Sequence, residues 1–196
     1  MTKFDLENEK NAIDIFSSSM HSLGFLRNIT TAIFDDKVPS MTVREFYEKN
    51  AEFSNNTEFI PYHFGPIVGN LYCGLLLAKE YWLDLLPDDE LPMSDPKWGL
   101  SGVACTSPKK ANPTVKYVIR RIRNALGHGS FVINFPEGTE KSADKHGYEK
   151  KLTIKFHDEN QRDSSDTFDI ELSLYRLYII IKRFHEIAYR HVTSKK

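Results

Sequence analysis

Residues 112–129 read NPTVKYVIRRIRNALGHG, and this stretch decides both the fold and the candidate site. Asn112 and Pro113 are typical of a helix N-cap and first turn, and Gly127 or Gly129 is typical of a helix end. The apolar residues between them recur at three- and four-residue steps: Val115, Val118, Ile119, Ile122 and Leu126. We therefore predict an amphipathic helix that runs to about residue 126 and turns this apolar side toward the core.

The opposite side of this helix carries polar residues at a regular spacing. Arg120, Asn124 and His128 follow each other at four-residue steps and form one stripe. Their side chains could bind phosphate, orient an imidazole ring and move a proton. Because the core does not use this stripe, we expect it to meet solvent, a bound anion or a second subunit. Arg123 lies about 140° round the helix from His128.

These residue types suit the cleavage of RNA without a metal. The reaction needs a base for the 2′-hydroxyl, an acid for the leaving 5′-oxygen and cations for the charge on the phosphate. We expect His128 to act as acid or base, Arg123 and Arg120 to stabilise phosphate charge, and Asn124 to orient His128. A two-fold dimer that brings two copies of His128 together would supply both proton-transfer groups. Arg123 could serve its own site or that of the opposed subunit.

The charge distribution along the chain is uneven. The net charge of −1 argues against an overall attraction to nucleic acid. Residues 97–136, however, contain no Asp or Glu and form a local basic block. Within it we predict three RNA or phosphate contacts, at Arg120, Arg121 and Lys116, although such a block can also be a solvated face.

Two other functions remain open for the same residues. The basic groove could hold RNA or a nucleotide without cutting it, or the polar stripe could form only the seam of a dimeric interaction module. The simplest alternative is that the motif occurs by chance and that His128 is only the C-cap of the helix before Gly129. Substitutions at these residues distinguish the three functions. They would abolish RNA cleavage in a nuclease, weaken RNA binding in a binding module, or change the oligomeric state of an interaction module.

No metal, cofactor or membrane span is expected. The chain has two cysteines, Cys73 and Cys105, and neither has a partner at zinc-ligand spacing. The longest apolar run, around residues 71–78, is far short of the roughly 20 residues that a membrane span needs. The N-terminal residues lack the apolar stretch of a secretory signal. We expect a cytoplasmic protein.

The other histidines are scattered and predicted to be structural or surface residues: His21, His63, His146, His157, His185 and His191.

The rest of the chain predicts one domain over residues 1–196. Helical spacing covers residues 7–34, 67–86 and 174–192, and a capping box of Thr42 and Glu45 predicts a short helix over residues 43–53. After Gly129 the apolar period changes from helical to two, which predicts three short strands near residues 131–135, 152–156 and 168–172.

The segment from Arg123 to His128 resembles the signature of the HEPN superfamily, in which an arginine and a polar residue precede a histidine by a short spacer. The resemblance implies a mainly α fold, a HEPN-like helical bundle of four to five helices. A small antiparallel β insertion, about residues 130–172, would precede the last helix. Residues 174–192 would be that helix, and the motif would lie on the helix before the insertion.

The same resemblance implies a function. HEPN domains of this type are homodimers whose motif helices face each other, and they cleave RNA without a metal to leave a 2′,3′-cyclic phosphate. By motif position, Arg123 and His128 would be the catalytic pair and Asn124 the polar residue beside them. The resemblance also implies a role as a toxin or phage-defence effector, with a possible antitoxin partner.

Overall fold

A computed structural model describes residues 22, 42, 45–46, 64–76, 82–86, 91–134 and 147–194 of the chain. The helix predicted over residues 7–34 lies outside these ranges except for Ser22, which is helical and buried. The capping box is confirmed, because the Thr42 amide donates to Glu45 Oε2 at 2.6 Å and the Glu45 amide donates to Thr42 Oγ1 at 3.2 Å. These two bonds satisfy amides that a helix start leaves without partners.

Four α-helices occur in the described ranges: α1 (Phe64–Leu71), α2 (Val115–Gly127), α3 (Gly147–Lys151) and α4 (Leu174–Thr193). The helix predicted over residues 67–86 is confirmed as far as Leu76, but its predicted end is wrong. α1 continues into a π-helical turn at Tyr72–Leu76, and Leu83–Leu85 form a 3-10 turn. The predicted start of α2 is also corrected, because its N-cap is Thr114, whose Oγ1 accepts a bond from the Tyr117 amide at 3.3 Å.

The strands form one antiparallel sheet in the order β1-β4-β3-β2. Their bounds are β1 (Cys105–Thr106), β2 (Phe131–Asn134), β3 (Thr153–Asn160) and β4 (Asp163–Ser173). Phe156 of β3 lies opposite Phe131 on one side and Ile170 on the other. The three predicted strands are thus confirmed, but β3 and β4 are longer than expected and meet at a tight turn.

The predicted fold class, a helical bundle with a small β insertion, is wrong for the part of the chain that the structure describes. A four-stranded antiparallel sheet shares the core with the helices there, and β1 precedes the motif helix α2 instead of following it. The inward residues of the sheet region are at most 2% exposed: Leu152, Ile154, Phe156, Phe168, Ile170 and Leu172. An apolar sheet face has to be covered, and α2 packs against β3 to cover it.

The predicted core-facing side of α2 is confirmed. Its five apolar residues are at most 2% exposed: Val115, Val118, Ile119, Ile122 and Leu126. α4 packs against α1 and β4, and it buries Leu177, Ile180 and Phe184. α2 therefore lies fixed between the sheet and other helical segments. Among the described residues no helix is long and apolar enough to cross a membrane.

Candidate active site

The C-terminal end of α2 holds His128 in a defined backbone position. The Ser130 amide donates to the Ala125 carbonyl at 2.8 Å, and the Gly129 amide donates to the Leu126 carbonyl at 3.1 Å. This pair of bonds is a Schellman motif, and Gly129 adopts the left-handed φ of 67° that the motif needs. Of the two glycines predicted to end the helix, Gly129 thus makes the turn. The His128 side chain lies at this end and is 51% exposed.

A buried carboxylate from the sheet lies behind this histidine. Asp158 of β3 is 2% exposed, and its Oδ1 lies 4.0 Å from His128 Nδ1. Its Oδ2 accepts a hydrogen bond from Asn124 Nδ2 at 3.1 Å. Asn124 was expected to orient the imidazole ring, but the bond it makes is to Asp158. The carboxylate therefore connects the two polar residues of the motif.

Arg121 fills the other side of the same carboxylate. Its Nε lies 2.9 Å from Asp158 Oδ2, although the Nε–H is not aimed at that oxygen. Its Nη2 donates to the Asp158 carbonyl at 3.1 Å and to the Asp166 carbonyl at 2.9 Å. The guanidinium also lies 5.8 Å from the ring centroids of both Tyr117 and Phe168. Arg121 is thus the counter-ion of a buried carboxylate.

The three predicted phosphate contacts have different positions. Arg121 is 6% exposed and Lys116 is 4% exposed, with the Lys116 Nζ lying 3.5 Å from Asp84 Oδ1. Because both cations are buried, little of their surface is accessible to a phosphate in solution. This burial argues against their predicted role in phosphate binding. Arg120, directly before Arg121 in the helix, is exposed. It is the member of this set that solvent reaches.

Arg123, the predicted catalytic arginine, is half-buried on α2. Its Nε is buried and has no hydrogen-bond partner among the described residues. A buried guanidinium N–H without an acceptor is unfavourable, because water no longer solvates it. Since Arg123 as a whole is only half-buried, another part of its surface stays accessible.

The predicted polar stripe is displaced by one residue. Arg121, Asn124 and His128, at steps of three and four, converge on Asp158, whereas Arg120 points to solvent. Sequence reasoning did not identify Asp158 or Asp166. One signal could have found Asp158: it continues the inward register of Ile154 and Phe156, where a charged residue is rare unless it has a partner.

A second histidine with an acidic partner lies on the outer face of the sheet. His157 Nδ1 lies 3.1 Å from Asp169 Oδ1, and the two side chains are 45% and 33% exposed. His157 and Asp169 face each other across β3 and β4, on the side opposite Asp158. His157 is thus a surface residue, as predicted for histidines outside the motif. Within the described ranges, no group of three or more His, Cys, Asp or Glu residues could hold a metal ion.

The arrangement at the end of α2 is suited to proton transfer next to an anion. It combines a half-exposed imidazole with a buried carboxylate behind it. In comparisons with known proteins, the family model described as HEPN pEK499 p136 matches residues 1–195. No curated protein and no solved structure matches the chain.

Proposed function

Because this chain belongs to the HEPN pEK499 p136 family, we propose that it is a metal-independent endoribonuclease that cuts single-stranded or loop RNA. Family membership supports a ribonuclease-like or nucleotide-binding role. The observation that favours cleavage is the half-exposed His128 ring with the Asp158 carboxylate 4.0 Å behind it. A binding module needs no proton-transfer group in this position, whereas attack by a 2′-hydroxyl does.

In the proposed reaction, His128 moves the proton. Its Nδ1 faces Asp158, so Nε2 is the nitrogen that can approach a substrate. As a base, Nε2 would accept the proton of the 2′-hydroxyl while that oxygen attacks the adjacent phosphate. The bond from phosphorus to the 5′-oxygen then breaks, and an acid returns a proton to that oxygen. The products are a 2′,3′-cyclic phosphate and a free 5′-hydroxyl.

The cations of α2 would stabilise the phosphate. Arg123 is only half-buried on α2, so part of its surface stays accessible to a phosphate oxygen. Arg120 is exposed on the same helix and would contact the flanking backbone. We also propose a homodimer with the α2 helices facing each other, since a second His128 would provide the acid. The proposal extends to a role as a toxin or defence effector with an antitoxin partner.

The test compares two histidines of similar exposure. His128→Gln and His157→Gln each remove one imidazole that has an acidic neighbour. We expect His128→Gln to lower the cleavage rate by about 100-fold or more, the usual contribution of general acid–base catalysis. His157→Gln should cleave at the wild-type rate. The assay follows a labelled single-stranded RNA in excess EDTA, with the same sequence as DNA for comparison.

Each outcome decides between the candidate functions. Cleavage that needs added magnesium, or that survives His128→Gln, would refute the proposal. RNA binding without a cleavage product, weakened by Arg123→Ala and by salt, would indicate a binding module instead. A change in oligomeric state with no effect on RNA would indicate an interaction protein. Light scattering of the wild type and of Arg120→Ala tests the dimer directly.

A further inference from the structure

We infer that Asp158 is a positioning residue for His128, so that the sheet and not the motif helix sets the orientation of the imidazole. The inference rests on the proposed function and names a residue outside the motif. Asp158 lies 30 positions after His128 in the chain and comes from β3. The β-strand segment would then be part of the active site.

The two oxygens of Asp158 have different neighbours. Oδ2 lies 2.9 Å from Arg121 Nε and accepts a bond from Asn124 at 3.1 Å. Oδ1 is the oxygen that lies 4.0 Å from His128 Nδ1. Arg121 and Asn124 both contact Oδ2, and the described contact of Oδ1 is the one with the imidazole. The division of contacts favours a role at His128.

Arg121 does not depend on Asp158 alone for its charge balance. Its Nη1 donates to Asp166 Oδ2 and its Nη2 to the Asp166 carbonyl, at 3.4 Å and 2.9 Å. Asn160 Nδ2 in turn donates to Asp166 Oδ2 at 3.1 Å. The guanidinium thus has a second carboxylate on β4. Asp158, which is 2% exposed, has Arg121 as its cationic neighbour and Asn124 as a hydrogen-bond donor.

An ionised carboxylate next to Nδ1 has two effects on a catalytic histidine. It favours the tautomer that carries the proton on Nδ1, which leaves Nε2 free to accept one from substrate. It also stabilises the imidazolium that forms after proton transfer. At 4.0 Å the contact is longer than a hydrogen bond, and a small rotation of the His128 side chain would close it when substrate binds.

The test compares the two carboxylates around Arg121. Asp158→Asn should lower kcat for RNA cleavage by about 10-fold to 100-fold with little change in KM, the size expected for loss of a group that orients a catalytic one. Asp166→Asn perturbs the same guanidinium but does not touch His128. It should keep kcat within about twofold.

Equal losses of kcat in Asp158→Asn and Asp166→Asn would overturn the inference. The second measurement uses the wild-type protein and is independent of folding in the variants. ¹⁵N NMR of the His128 ring in the neutral form should show the proton on Nδ1, and a proton on Nε2 would refute the assignment. If wild-type protein does not cleave RNA while the ring has the Nδ1–H form, only the proposed nuclease function fails.

Discussion

Replacement of Arg121 by methionine should destabilise the protein through a single buried charge. The substitution keeps an unbranched apolar side chain but removes the guanidinium from Asp158, which is 2% exposed, and from the carbonyls of Asp158 and Asp166. Asn124 Nδ2 would then be the remaining hydrogen-bond donor to that carboxylate in the described contacts. An ionised group left in this position lacks both water and a counter-ion.

The expected loss follows from the burial of the pair. Breaking a buried ion pair by removing one partner costs about 3 to 5 kcal/mol. The bond from Asn124 and the half-exposed neighbour His128 place the value near the lower end, at about 3 kcal/mol. With a denaturant slope of about 2 kcal/mol per molar urea, the unfolding midpoint should fall by about 1.5 M. That is a large share of the roughly 5 to 15 kcal/mol that stabilises a typical domain.

Equilibrium urea unfolding, followed by far-UV circular dichroism and tryptophan fluorescence, measures this loss. Trp98 is 2% exposed and reports on the core. Arg120→Met is the matched control, because it makes the same chemical change one position earlier on the exposed side of α2, and it should alter stability by about 0.5 kcal/mol or less. The double variant Arg121→Met with Asp158→Leu should be more stable than Arg121→Met alone, since it leaves no unpaired buried charge. A loss below about 1 kcal/mol in Arg121→Met, or equal losses in both arginine variants, would refute the reasoning.

Two further predictions concern the end of α2 and the edge of the sheet. Gly129→Ala should lower stability by about 1 to 2 kcal/mol because φ is 67° there, whereas Gly127→Ala, on an exposed helical position, should raise it by up to about 1 kcal/mol. Thermal unfolding compares the two, and a loss in both variants would contradict the role assigned to Gly129. Burial, reinforced by Asp169, raises the pKa of the Cys105 thiol, while Arg121 opposes this shift. Cys105 should therefore alkylate more slowly near neutral pH than a cysteine in an unfolded peptide, and Asp169→Asn should speed the reaction. Mass spectrometry of the Cys105 peptide measures the rate, and equal rates in peptide and protein would contradict the prediction.

The sequence predicted the helices and strands whose apolar residues recur with a clear period. α2 and α4 both have apolar residues at helical spacing, and the predicted core side of α2 is buried. The alternation around Ile154 and Ile170 likewise predicted β3 and β4. These patterns are local, because each element shows its buried side in its own residues. β1 has two residues, Cys105 and Thr106, which are too few to show a period.

The fold class could not be found in the same way. Alternation shows that a strand buries one face but does not show what covers that face. The sequence therefore predicted the strands as an insertion in a helical bundle, whereas in the structure β3 packs directly on α2. The decision depends on contacts between residues far apart in the chain, which local patterns do not contain.

The sequence by itself determined that one amphipathic helix carries Arg123, Asn124 and His128 and that it ends at one of the two glycines beside the histidine. Only the tertiary structure decided which of two neighbouring arginines contacts the buried carboxylate of the site. Arg120 and Arg121 are adjacent and chemically identical, but β3 and β4 meet the helix at Arg121 and bring Asp158 and Asp166 with them. The helical period fixes the direction in which each side chain leaves the helix. Which residue that side chain contacts depends on where another part of the chain packs against the helix.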